Sequence, residues 1–175
     1  GFQADGVAQE YFVVPEDRLG VFPDSISYDE GAMIEPVAVG VHACSHIASL
    51  EGKNVVVAGA GTIGNIVAQM AKARGAAKVL ITDISDFRLD MAKKCGIDDV
   101  VNVAKGSFEE KIKTCFGEEG FHVGFDAAGT EKALEVLMKY IEKGSEIVIL
   151  GVYAENPRIN MYYLGEHELR LYGSM

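Results

Sequence analysis

Basic residues are scarce in this chain: 16 Lys and Arg stand against 26 Asp and Glu, for a net charge of −10. Nucleic acid and anionic membrane both call for a basic surface, so neither is an expected partner. Any anion bound here must be held by local geometry. Cysteine is equally sparse. Cys44, Cys95 and Cys115 are far apart, odd in number and without CxxC spacing. That excludes a disulfide framework or thiolate zinc site built from this chain, and makes a reducing, cytoplasmic setting the expectation. No apolar run approaches the roughly 20 residues of a membrane-spanning helix. What remains is ordinary globular composition, 49% hydrophobic over 175 residues. It suits one domain, or one domain with a piece of another.

The first quarter reads differently from the rest. "GVAQEYFVVP", residues 6–15, is a strand-like run ended by Pro15, and turns follow it. Ser27 to Glu30, "SYDE", has the spacing of a capping box, in which the hydroxyl and the carboxylate satisfy each other's orphan amides. Pro36 predicts a break or kink near Ile34–Glu35. Beyond it Val37, Val41, Cys44 and Ala48 fall on one helical face, with Gly52 ending the run.

From Asn54 onward strands and helices alternate. The predicted strands are "NVVVA", "KVLITD", "DVVNV", "HVGFDAAG", "EIVILG" and "ELRLYGS". Helices between them close at Gly75, Gly96 and Gly144, and Ser107 to Glu110 repeats the capping box. This alternation predicts an α/β fold: a doubly wound, parallel, six-stranded Rossmann sheet of order 3-2-1-4-5-6.

"VVVAGAGTIGN" carries the chemistry. Three glycines follow the first strand and open a helix, where free amides and the helix dipole hold an anion without any lysine. Gly59 makes the tight turn, Gly61 lets backbone approach a pyrophosphate, and Gly64 lets helix and strand pack closely. Thr62 and Ile63 complete the candidate cradle. Asp83 stands 19 residues after Gly64, at the end of the second strand. A carboxylate there accepts both adenosine ribose hydroxyls and repels a 2′-phosphate, so the expected cofactor is NAD rather than NADP. A glycine loop used only for packing, or one serving a methyltransferase or flavin site, has the same three glycines. Arg88 is a candidate for the ribose edge or a solvated helix arginine. Ala127 in "DAAGT" and Gly151 and Val152 in "LGVY" lie at the carboxyl ends of the fourth and fifth strands, where a nicotinamide would approach. Plain turns would read the same. His42, Cys44 and His46 do not converge on a helix: 42 and 46 share a face and 44 points elsewhere.

These residues resemble a known family. "SYDEGAMIEPVAVGVHAC", "VVVAGAGTIG", "KVLITDIS", "FDAAGT" and the closing "LYGS" are similar to the zinc-dependent medium-chain alcohol dehydrogenases. Within it they resemble the polyol branch of sorbitol dehydrogenase and its relatives. The likeness runs in order from about Gly6 to Ser174. It implies a chaperonin-10-like catalytic domain, whose end and linker would be residues 1–36, before an NAD-binding domain at 37–175. It implies that Glu35 of "IEP" faces the catalytic zinc, and that Asp83 and Arg88 are the ribose-binding pair. The family's cysteine and His-Glu zinc ligands have no match in this chain, nor has its cysteine-rich structural zinc lobe. Asn65 replaces a usually apolar residue.

The chain starts at Gly1 without methionine and stops just past the last predicted strand. Both ends are therefore expected to be cuts within a longer protein. The parent would use NAD and zinc to oxidise a secondary alcohol of a polyol or polyol phosphate to a ketone. The chain alone would be inactive, and no catalytic residue is assigned in it. Oligomers are common in the family, and pairing through the sixth strand is one route to them. A non-catalytic NAD-binding module is the competing class; threonine, butanediol and glucose dehydrogenases are near neighbours.

Overall fold

The structure is a computed structural model and describes residues 6–97 and 99–175. The chain divides into two compact units, Gly1–Met33 and Ile34–Met175. Residues 1–5, the start of the segment assigned to a catalytic domain, lie outside the described residues.

In the first unit the expected strand over residues 6–15 does not form. A strand exists through its ladder, and these residues have no ladder partner among the described residues. Residues 16–18 make a single 3-10 turn, Glu16–Arg18.

Helix α1 covers Tyr28–Ser45. Its capping box is complete: Ser27 N donates to Glu30 Oε2 at 2.8 Å, and Glu30 N to Ser27 Oγ at 3.3 Å. The break expected before Pro36 does not occur, and the helix is continuous through it. Proline removes one i→i−4 bond, while the cap secures one end and burial of Gly40, Ala43 and Cys44 secures the other. Gly40 gives close approach, since a Cβ there would meet Ile66 Cγ2 at 2.7 Å. The inward face is therefore Gly40, Ala43 and Cys44, and Ile47 is buried just past the helix end. Val37, Val41 and Ala48 are exposed, against the expected stripe.

The second unit is a sheet between two helical layers. Strands β1 (Asn54–Ala58), β2 (Lys78–Asp83), β3 (Asp99–Asn102), β4 (Val123–Asp126), β5 (Glu146–Ile149) and β6 (Arg170–Gly173) are all parallel. Their order is β3-β2-β1-β4-β5-β6, as the alternation predicts. Strand β1 is central and buried at all five positions. Val55 and Val57 join the core on one face with Ile81, Val67 and Phe125; Val56 and Ala58 join the other with Leu80, Ile147 and Leu137. A side chain of this size contributes about 1.5–3 kcal/mol when fully buried, which is why residues 55–58, covered on both faces, are all apolar; the buried Asn54 at the strand's start donates from Nδ2 to Gly120 O at 2.9 Å.

Helices α2 (Thr62–Ala73), α3 (Asp86–Lys94), α4 (Phe108–Phe116) and α5 (Glu131–Tyr140) connect the strands. A short helix α6, Met161–Glu166, precedes β6 and is not signalled by the sequence pattern. It is capped by Asn160, whose Oδ1 accepts from Tyr162 N at 3.1 Å. Strand order reverses between β1 and β4, so a crevice opens at the carboxyl ends of these strands.

Burial also sorts the cysteines. It pushes the Cys44 thiol up to about 11 and the Cys115 thiol up to about 12. Cys95 is exposed. Thiolate is the reactive form. At pH 8 one thiol per native chain should react rapidly with an aromatic disulfide reagent, and three after denaturation. Fast reaction of all three in the native chain would contradict this core.

Candidate functional site

The crevice is built from the glycine turn outward. Beyond β1, Gly59 takes φ +98 and its N–H continues the ladder to Thr82 O at 2.8 Å. A Cβ at Gly59 would meet the backbone of Ala127 and Ala128 at 2.9 Å. A Cβ at Gly64 would run into Gly59 O. Both glycines are therefore required by the fold itself. Gly61 differs. Its backbone is ordinary, φ −67 and ψ −175, and a Cβ there would meet nothing within 4 Å. Among the described residues no protein atom requires a glycine here.

Gly61 is also the N-cap of α2 and offers that helix no side-chain cap. Helices α1, α3, α4 and α5 each carry an acid in the first turn, and α2 and the short α6 carry none. The positive end of α2 thus opens on the crevice with no acid in its own first turn. Asn65, one turn in, bonds Gln69 through its Oδ1 at 3.2 Å.

Asp83 ends β2, its side chain only 4% exposed. Its Oδ2 accepts from Ala60 N at 2.8 Å and its Oδ1 from Ser85 N at 2.9 Å. Arg88 Nη1 lies 3.6 Å from Oδ2, with the arginine side chain more than half exposed. Asp83 therefore pins the glycine turn as well as facing the crevice, a link that residue spacing does not reveal.

The crevice has a volume of about 720 Å3 and brings together Gly59, Gly61, Thr62, Ile63, Gly64, Asp83, Arg88 and Ala127. Gly151 and Val152 do not line it. The side-chain space of Gly151 is taken by the backbone of Gly129, and Val152 is 80% exposed. Sequence reasoning missed the rear wall, where Val103, Phe108, Ala133 and Val136 make an apolar surface with Lys132 beside them. These residues come from β3 onward and from two further helices. Only closure of the sheet collects them.

Metal-ligating groups do not gather in this way. Glu35 is exposed on α1. The rings of His42 and His46 meet edge to face with centroids 4.9 Å apart, and His46 stacks on Tyr172 at 5.8 Å. Cys44 is fully buried in the core. Among the described residues no three His, Cys, Asp or Glu converge to hold a metal ion. Among the same residues no helix is long and apolar enough to cross a membrane.

Against known proteins, residues 62–175 match the sequence model of a family described as zinc-binding dehydrogenase. Sorbitol dehydrogenase of Bacillus subtilis (strain 168) is 32% identical over 170 residues, covering 97% of this chain and 48% of that protein. L-threonine 3-dehydrogenase of Vibrio cholerae (strain ATCC 39541) is 36% identical over 152 residues, covering 87% of this chain and 44% of that protein. The crystal structure of an alcohol dehydrogenase (rspB) from Escherichia coli CFT073, complexed with NADH, superposes with a TM-score of 0.87 at 28% identity. It covers 98% of this chain and 50% of that one. The chain thus spans about half the length of the curated relatives it matches.

Proposed function

The chain belongs to the zinc-binding dehydrogenase family, and we propose that it is the NAD-binding part of an enzyme oxidising a secondary alcohol of a polyol or polyol phosphate to a ketone. One observation carries the cofactor reading. Gly61 leaves an empty side-chain volume at a helix N-terminus that has no acid in its own first turn, beside a buried carboxylate at the end of β2. A pyrophosphate fills that volume and accepts from the amides of α2. Asp83 holds the ribose diol, and its charge repels the 2′-phosphate of NADP. Arg88 flanks the ribose, and the small Ala127 leaves room on the β4 side. NAD supplies the hydride acceptor.

Zinc does not fit this chain by itself. A catalytic zinc takes three protein ligands and an open position. Glu35 is the one carboxylate proposed to face it, on the strength of the family likeness, so no step through the metal is derived from these residues. The polyol assignment is supported by the likeness to sorbitol dehydrogenase. The Vibrio cholerae relative favours a second reading, in which the parent oxidises the secondary hydroxyl of L-threonine.

Calorimetric titration tests the cofactor reading. The chain should bind NAD and should bind NADP at least about tenfold more weakly, a difference of about 1.4 kcal/mol. After dialysis it should hold no stoichiometric zinc and should not oxidise sorbitol with NAD. Equal affinity for the two cofactors would defeat the role given to Asp83. One tightly held zinc per chain would mean that His42, Cys44 or His46 ligate after all.

A further inference from the structure

Asp126, the last residue of β4, is fully buried. Its carboxylate has three donors. Oδ1 accepts from Ala128 N at 3.0 Å and Gly129 N at 3.1 Å, and Oδ2 accepts from the Tyr153 hydroxyl. Its backbone oxygen accepts from Leu150 N and Gly151 N, both at 2.9 Å. One residue thus holds the loop after its own strand and the loop after β5. The two loops also touch, since a Cβ on Gly129 would meet Val152 O at 2.8 Å. Packing alone would be served by an apolar side chain. A buried carboxylate is costly unless its oxygens are hydrogen bonded, so this one is matched to its donors. Burial first, and the bond to Asp126 second, push the Tyr153 hydroxyl well above the usual phenol range. It stays protonated, and so remains a donor, at any working pH.

We infer that Tyr153 and Asp126 form a latch that sets the loops at 127–130 and 151–153 for the nicotinamide half of the dinucleotide. The inference rests on the NAD reading above. A dinucleotide crosses the carboxyl edge of such a sheet where strand order reverses. Asp83 ends β2, on one side of β1; β4 and β5 lie on the other side. With the adenosine ribose at Asp83, the opposite half of the cofactor lies over the loops that the latch joins. Tyr153 and Asp126 are positioning residues: they fix the backbone around Ala127 and Val152.

The test is Tyr153→Phe in the whole chain, titrated with NADH and separately with ADP-ribose, which lacks the nicotinamide. The phenyl ring keeps the packing of Tyr153 on the core cluster of its sheet face, so circular dichroism should not change. Affinity for NADH should fall about tenfold, because loops released from the latch must be ordered again when the nicotinamide half binds. Affinity for ADP-ribose, which lacks the half that lies over these loops, should stay within about twofold. A purely structural role would lower both together. Equal losses, or no loss for either ligand, overturn the latch while leaving the NAD reading in place. Failure of the unmutated chain to bind either ligand overturns the NAD reading, and the latch with it.

Discussion

Gly61→Val should abolish NAD binding and leave the fold standing. The backbone at Gly61 sits at φ −67 and ψ −175, where valine is comfortable, and a Cβ there meets no protein atom within 4 Å. The free chain therefore accepts the side chain without strain. A bound pyrophosphate does not, because the isopropyl group occupies the volume in which it approaches the amides of α2. Affinity should drop by at least about a hundredfold, or about 2.7 kcal/mol. Gly64→Val provides the contrast. Its Cβ collides with Gly59 O, so that variant should lose fold and binding together. Circular dichroism and NAD titration should part company for residue 61 and agree for residue 64. Normal NAD binding by Gly61→Val would reduce the loop to a packing turn.

Asp83→Ala should weaken NAD binding by about 1.5–3 kcal/mol, the range for hydrogen bonds to a charged partner. Part of that loss is indirect, because the substitution also deprives Ala60 N and Ser85 N of their acceptor and so loosens the glycine turn. The ratio of NAD to NADP affinity separates the two effects. A looser turn weakens both cofactors alike. Removing the carboxylate relieves repulsion only for NADP, so the preference for NAD should narrow. Paired calorimetric titrations give the ratio directly. A variant weaker for both cofactors with an unchanged ratio would leave Asp83 a purely structural residue.

The glycine turn and its acid were legible in the sequence because they are local. Gly59, Gly61, Gly64 and Asp83 fall within 25 residues of one strand–helix–strand unit, and the geometry of that unit is nearly invariant. The wider site was not. Phe108 and Val136 lie on helices that enter the crevice only after the sheet has ordered itself. Tyr153 reaches Asp126 across 27 residues. No periodicity announces such a bond, because it depends on where two loops come to rest.

By itself the sequence determined the order of the sheet, the cap at Ser27 and the position of the glycine turn. Each follows from short-range rules: strand and helix alternation with right-handed crossovers, hydroxyl and carboxylate three residues apart, and glycine where a side chain cannot fit. Tertiary structure alone decided which of those glycines the fold requires, Gly59 and Gly64, and which it leaves with open space, Gly61. It kept α1 whole through Pro36, left residues 6–15 without a ladder, and turned the exposed face of α1 to Val37 and Val41. It also gave Asp83 its second task at Ala60 N. The physical reason is common to all of these. A local pattern states what a segment can do; burial and hydrogen-bond partners, supplied from elsewhere in the chain, select what it does.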